Sequence, residues 1–238
     1  MKPTQVVLIL VSLFLFGFYV SQDSLNSTPA AGGPVLIGIP LGSNPRALAV
    51  DPWKDQAVVI CEKPHTVCVV DLSSEEVVST LPLGKAPRAV ALDPGLGLAL
   101  VSTVDDSVVV IDLEGNQVVK SLQAGRSPRA IAVDPERHVA LVANSKENTV
   151  TVIDLLGLQV ERTISLGKKK GPRDIAVDSE LGIALVVNER GNDVSIVDLE
   201  TYEVVGRVKV GRKPRAIAIN TKTHHAAVVN AIFSDCTL

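Results

Sequence analysis

The chain has 238 residues, 46% of them hydrophobic and 3% aromatic, and its 23 Lys and Arg nearly balance 26 Asp and Glu for a net charge of −3. So large an apolar share excludes a disordered chain, and the near balance of charge excludes a globally basic nucleic-acid binder. Four aromatics (Phe14, Phe16, Phe18 and Tyr19) sit near the amino terminus, which leaves Trp53, Tyr202 and Phe233 for the rest. No aromatic platform or cage is available there, and the valine- and alanine-rich remainder favours β structure.

Lys2 precedes an uncharged apolar run, Val6–Val20, and polar Ser21, Gln22 and Asp23 follow it. A short positive region before an apolar stretch below full spanning length is the layout of a secretory signal. Residues 1–21 are therefore expected to be a signal peptide or an amino-terminal membrane anchor, with 6–20 as the tether. Residues 22–34, rich in Ser, Asn, Pro, Gly and Ala, read as a flexible linker. The expected location is extracytoplasmic: periplasmic, secreted or membrane-anchored.

Cys61, Cys68 and Cys236 are the only cysteines, an odd number with no zinc-like spacing. Cys61 and Cys68 flank a short turn. They read as two inert thiols in a hairpin, or as a cross-strand disulfide if the register sets them opposite one another.

The strongest signal is a repeat. Pro-Arg recurs at Pro45-Arg46, Pro87-Arg88, Pro128-Arg129, Pro172-Arg173 and Pro214-Arg215, spaced by 42, 41, 44 and 42 residues. Asp-Leu recurs at Asp71, Asp112, Asp154 and Asp198 with the same excess at 168–171. Within one unit the pattern predicts strands over Arg129–Val133, Val139–Ala143, Thr149–Leu155 and Leu158–Leu166, punctuated by Asp134-Pro135, Asn144–Asn148 and Gly167. The runs are too short and too β-branched for helices. Four short strands every forty-odd residues is the signature of a β-propeller blade, so the fold class is all-β, a β-propeller over 35–238.

The stretches Pro-Arg-Ala-Ile-Ala-Val-Asp-Pro (128–135), Val-Ala-Asn (142–144) and Thr-Val-Thr-Val-Ile-Asp-Leu (149–155) resemble the YVTN family of β-propeller repeats, relatives of the NHL-type propellers. The resemblance implies a radial fold, usually extracytoplasmic and frequently of uncharacterised binding function, with seven blades more often than five. The chain departs from the pattern at Cys61 and Thr103, which stand where later units have Asn144, Asn188 and Asn230. The strands amount to about five blades. Either Val35–Leu41 completes the last blade and closes a five-blade ring, or the blades are an open arc of a larger, incomplete propeller.

Antiparallel strands put the turns between strands four and one on the same face as those between two and three. The four-to-one turns carry twelve basic residues and no acidic one, and the opposite face collects Asp51, Asp93, Asp134, Asp178, Asp71, Asp112, Asp154 and Asp198. Arg46, Arg88, Arg129, Arg173 and Arg215 lie on the innermost strands and are expected to ring one mouth of the central channel. Guanidinium forks there suit capture of an anion. The competing role is a repeated staple, each Arg pairing with a carboxylate or carbonyl at a blade seam.

Signals for an enzyme are thin. His138 and His224 share a blade position two repeats apart, His224 and His225 point to opposite faces of a strand, and all four histidines read as surface residues. No nucleophile elbow, phosphate loop or calcium loop is present, and Lys168–Lys170 reads as a solvated turn. The expectation is an exported binding or scaffold module without metal, cofactor or catalytic residues. Its partner would be an anionic surface polymer or an envelope protein, not a nucleic acid. The alternative is a non-functional or incomplete fragment of a propeller enzyme, lactonase-like or quinone-linked dehydrogenase-like.

Overall fold

A computed structural model describes residues 8–9, 36–41, 44–232 and 236–237. The expected linker lies outside these residues, and so does the expected signal segment except for Leu8–Ile9. Two short strands open the described chain, β1 (Leu8–Ile9) and β2 (Leu36–Ile37), and they pair in parallel.

Four antiparallel four-stranded sheets follow, each made of consecutive strands. Blade 1 is β3 (Pro45–Asp51), β4 (Gln56–Cys61), β5 (Thr66–Asp71) and β6 (Glu76–Pro82). Blade 2 is β7 (Pro87–Asp93), β8 (Leu98–Thr103), β9 (Ser107–Asp112) and β10 (Gln117–Gln123). Blade 3 is β11 (Pro128–Asp134), β12 (Val139–Asn144), β13 (Thr149–Asp154) and β14 (Gln159–Ser165). Blade 4 is β15 (Pro172–Asp178), β16 (Ile183–Asn188), β17 (Asp193–Asp198) and β18 (Val204–Lys209). A three-stranded sheet, β19 (Arg212–Asn220), β20 (His225–Ile232) and β21 (Cys236–Thr237), is the described part of blade 5. First strands of successive blades lie against one another, β3 on β7, β7 on β11, β11 on β15 and β15 on β19, while the outer strands scarcely meet. The protein is thus a radial stack of blades with the first strands innermost.

The period of two along each strand builds the seams. In β8, Ala99 and Val101 face blade 1, where they join Val58, Ile60, Val67 and Val69; Leu100 between them faces blade 3 and packs with Ala140, Val142 and Ile153. Leu141 and Val152 meet Ala184 and Val186 at the next seam, and Val187 and Val194 meet Val228 at the last. Small β-branched side chains on both faces of the middle strands let the sheets pack closely.

Of the expected strand Val35–Leu41, the described residues 36–41 do not pair with blade 5. Leu36–Ile37 pairs with Leu8–Ile9, and Ile39 and Leu41 pack on the outer face of blade 1 over Ala57, Val59, Cys61, Cys68 and Val70. Apolar side chains on that face take cover from the nearest chain available. Within the described residues, then, four blades and part of a fifth form a stack, and no pairing joins its first and last blades.

The cysteine register settles the hairpin. Cys61 lies opposite Thr66 and Cys68 opposite Val59, so the two are diagonal rather than facing. Both are buried free thiols, and each lies 3.7 Å from the Leu41 carbonyl oxygen.

Candidate anion-binding site

Each Pro-Arg stands at or near the start of an innermost strand, and the ladder shows why arginine can stand there. Pro45 pairs with Cys61 and Ala47 with Ile60, which leaves Arg46 as an extra residue between two rungs. The same bulge sets Arg88, Arg129, Arg173 and Arg215 out of register in their own blades. Proline lacks the N–H that the regular ladder would use at this point, and a bulge bends the strand and re-aims its side chain. Five bulges in the same place turn five arginines toward the axis.

All five line one cavity of about 410 Å³, together with the first residues of the inner strands. The structure therefore brings the sequence-identified arginines together, but their surroundings differ. Arg46 lies 3.4 Å from the Glu62 carboxylate and donates from Nε to the Arg88 carbonyl oxygen across the seam at 3.2 Å. Arg173 donates to Glu189 at 3.0 Å, and Arg215 approaches the other oxygen of Glu189 at 4.0 Å. These three combine the staple role with the ring.

Arg88 and Arg129 are different. Among the described residues neither has a carboxylate within ion-pair distance, and Arg88 Nε is buried without a hydrogen-bond partner. The cause is the residue just after the second strand, which is Glu62 in blade 1 and Glu189 in blade 4 but Val104 in blade 2 and Ser145 in blade 3. Partial burial, then the Arg173 and Arg88 guanidiniums, hold the Arg129 pKa below its ordinary value, the mark of a cation lacking a counter-ion.

One acidic group also lines the cavity. Asp174 stands where the other units have Ala47, Ala89, Ala130 and Ala216. Its carboxylate accepts the Ile217 N–H of the next blade at 2.9 Å and the Ile175 N–H at 3.0 Å. Burial pushes its pKa up in spite of those bonds. With Glu189 and Asp174 both on the blade 4 side, the uncompensated positive charge gathers at the seam between blades 2 and 3.

The basic face is less one-sided than its four-to-one turns suggest. The two-to-three turns on that face supply carboxylates: Lys85 pairs with Asp105 and Lys170 with Asp193, both at 2.5 Å. Against the cost of burial, Lys85, Thr103 and Ser107 hold the Asp105 pKa down to about 2. Lys170 is consequently a paired residue rather than part of a solvated run. On the opposite face, four of the eight aspartates are not surface charges. Asp51, Asp93, Asp134 and Asp178 are at most 1% exposed and cap their own turns, as Asp51 Oδ1 does for the Trp53 and Lys54 N–H groups.

Two histidines also depart from the surface reading. His138 Nδ1 lies 2.8 Å from Asp93 Oδ2 of the preceding blade, and His224 Nδ1 lies 2.8 Å from Asp178 Oδ2 of its own preceding blade. They bind buried carboxylates across the seams between blades 2 and 3 and between blades 4 and 5. Glycine holds the same turn position in blades 2 and 4. An added Cβ at Gly182 would lie 3.0 Å from the Arg137 guanidinium, which instead bridges Asp134 and the Ser179 carbonyl oxygen. The shared spacing of His138 and His224 was the available sequence signal, but reading it required the partner Asp one repeat earlier.

Among the described residues no group of three or more His, Cys, Asp or Glu is placed to hold a metal ion, and no helix is long and apolar enough to cross a membrane. The geometry of Arg88 and Arg129 suits guanidinium contacts to a carboxylate, phosphate or sulfate.

Comparison with known proteins agrees on the fold. No curated protein matches the sequence. Among solved structures, hydrazine synthase of Kuenenia stuttgartiensis superposes with a TM-score of 0.72 at 22% identity, over 78% of this chain and 55% of that one. A functionally unknown protein from Desulfotomaculum acetoxidans superposes with a TM-score of 0.71 at 17% identity, over 83% of this chain and 69% of its own. The chain thus spans little more than half of the hydrazine synthase chain, and likeness at these identities concerns the fold alone. The family described as lactonase, seven-bladed β-propeller, matches residues 96–231, more than half of the sequence and the whole of blades 3 and 4. With its blades, its innermost Pro-Arg strands and that match together, the chain belongs to the seven-bladed β-propeller lactonase family.

Proposed function

We propose that the protein is an exported binding module of YVTN repeat type that takes an anionic group of its partner into the arginine-lined cavity. One observation carries the reading: among the described residues, Arg88 and Arg129 face the cavity with no carboxylate in ion-pair distance, and Arg88 Nε is buried with no acceptor. Leaving a buried donor of a charged group unmade costs about 1–3 kcal/mol or more, and an incoming oxyanion removes that cost. Arg46, Arg173 and Arg215 hold the blades and supply field; Arg88 and Arg129 make the contact. The apolar run 6–20 supports export or tethering, and an anionic surface polymer or an envelope protein is the partner this location offers.

The test is the double substitution Arg88→Gln, Arg129→Gln. Both residues lie outside the ladder, so the variant keeps its thermal midpoint while salt-sensitive retention on a sulfate or phosphate matrix disappears. Unchanged retention refutes the anion site, and an unfolded variant assigns both arginines to the framework.

A second reading, hydrolysis of a lactone, draws on the family name and on Asp174, a carboxyl with an elevated pKa in the same cavity. Turnover of any member of a lactone panel by the wild-type chain, abolished by Asp174→Asn, would favour it over binding alone.

A further inference from the structure

We propose that the ligand is a linear polyanion spanning two cavities on the basic face, the arginine-lined one and a second at the seam of blades 4 and 5. The inference rests on the anion-binding reading and specifies the ligand class for it. The second cavity, of about 490 Å³, is lined by Glu189, Arg190, Asn192, Arg212 and Lys213. Its walls are the turn between β16 and β17 and the start of β19, so it opens on the face that carries the arginine ring.

Glu189 joins the two spaces. It lines the outer cavity while its carboxylate is bound by Arg173 and Arg215, which line the inner one. Its charge is therefore spent on the inner arginines, and the outer cavity keeps a positive excess from Arg190 and Lys213. Arg190 and Lys213 are exposed, and among the described residues neither has a carboxylate within ion-pair distance.

The local backbone is built to hold these cations in place. Gly171 has φ +58°, and an added Cβ would lie 2.9 Å from Arg190 Cγ, so glycine both permits the turn and leaves room for the Arg190 stem. The Asn192 side chain accepts the Lys213 N–H at 2.8 Å, which anchors Lys213 beside it.

A small anion would be satisfied by the inner cavity alone. Two cationic cavities sharing one already paired carboxylate fit a chain that places one anionic group in each. Once the first group is held, the second binds at high effective concentration. Nucleic acid fits less well, because strand binding draws on aromatic stacking. Among the described residues the aromatics Trp53 and Tyr202 occupy turns on the opposite face, so the polymer expected is a phosphate, sulfate or carboxylate chain.

The experiment measures equilibrium binding of inorganic phosphate, a polyphosphate of about ten units, and a single-stranded DNA oligomer of equal charge, at several salt concentrations. The wild-type chain is expected to bind polyphosphate about 10²-fold or more tighter than phosphate. Arg190→Gln, Lys213→Gln should lower polyphosphate affinity about tenfold and reduce the slope of log K against log salt by about 1.4, taking about 0.7 per lost charge. It should leave phosphate affinity within about twofold, as the inner cavity is intact. If the double variant fails to fold, Lys213→Gln alone carries the test with half that change in slope. Wild-type polyphosphate affinity in the folded variant overturns the two-cavity ligand while phosphate binding keeps the inner site. Binding of neither phosphate nor polyphosphate to the wild-type chain overturns both, and equal affinity for the DNA oligomer overturns the ligand class.

Discussion

Replacing His138 by Ala tests whether blade seams are held by specific polar contacts as well as by valine. The side chain contributes a 2.8 Å contact to Asp93 Oδ2, and Asp93 is wholly buried while its other oxygen caps the Leu96 N–H at 3.1 Å. A hydrogen bond to a charged group is worth about 1.5–3 kcal/mol, and removing its donor strands the acceptor. The His138 side chain is 29% exposed, so water replaces part of the contact and the lower half of that range applies, about 1.5–2 kcal/mol. For a domain of this size each kcal/mol moves the midpoint by about 2–4 °C, so His138→Ala should melt about 3–8 °C below wild type. Scanning calorimetry and urea titration measure it, with His225→Ala as the control because that residue is exposed. A double-mutant cycle with Asp93→Asn isolates the pair. A loss below about 0.5 kcal/mol, or one no larger than in the control, would refute the reasoning.

The equivalent pair at the last seam predicts a pH dependence. The hydrogen bond to Asp178 raises the His224 pKa, with Glu180 3.9 Å from its other ring nitrogen, and the same bond lowers the Asp178 pKa. The histidine contribution is complete below its unfolded pKa and is lost as pH rises through the folded value; the carboxylate contribution is present above its unfolded pKa and is lost as pH falls through the folded value. The margin of wild type over His224→Gln in thermal midpoint should therefore be widest between about pH 4 and 6.5 and narrow toward pH 9, and a margin that grows with pH contradicts the sign. At Cys61, burial and the adjacent Cys68 thiol push the pKa up to about 11. Alkylation at pH 8, followed by peptide mass spectrometry, should be slower than in the denatured chain by about two orders of magnitude, and labelling at equal rates would refute the burial argument.

What the sequence disclosed, and what it withheld, follows the range of each interaction. Strand boundaries in blade 3 are predicted to within a residue, because alternation and Asp-Pro punctuation are local. The convergence of five arginines was equally legible, since one per repeat at a fixed strand position has only one radial destination. The fate of each charge was not. Arg46 and Arg88 sit in near-identical heptads, and the difference between them is Glu62 against Val104, sixteen residues further on and across a strand. The histidine pairs span still more chain, 45 residues from Asp93 to His138 and 46 from Asp178 to His224. The place of Ile39 and Leu41 depended on which exposed apolar face lay nearest, a question of packing that strand periodicity does not address.

The bulge that carries each arginine has a consequence for how such proteins diversify. A residue inserted between two rungs has no ladder partner to satisfy, so its identity can change without disturbing the sheet that bears it. Repetition then gives five separately editable letters around one opening, and Asp174, which pairs with Val187 one step along the strand where the other units have Ala, shows that the neighbouring rung varies as well. Selection for a new partner can rewrite the rim one blade at a time while the valine seams beneath stay as they are.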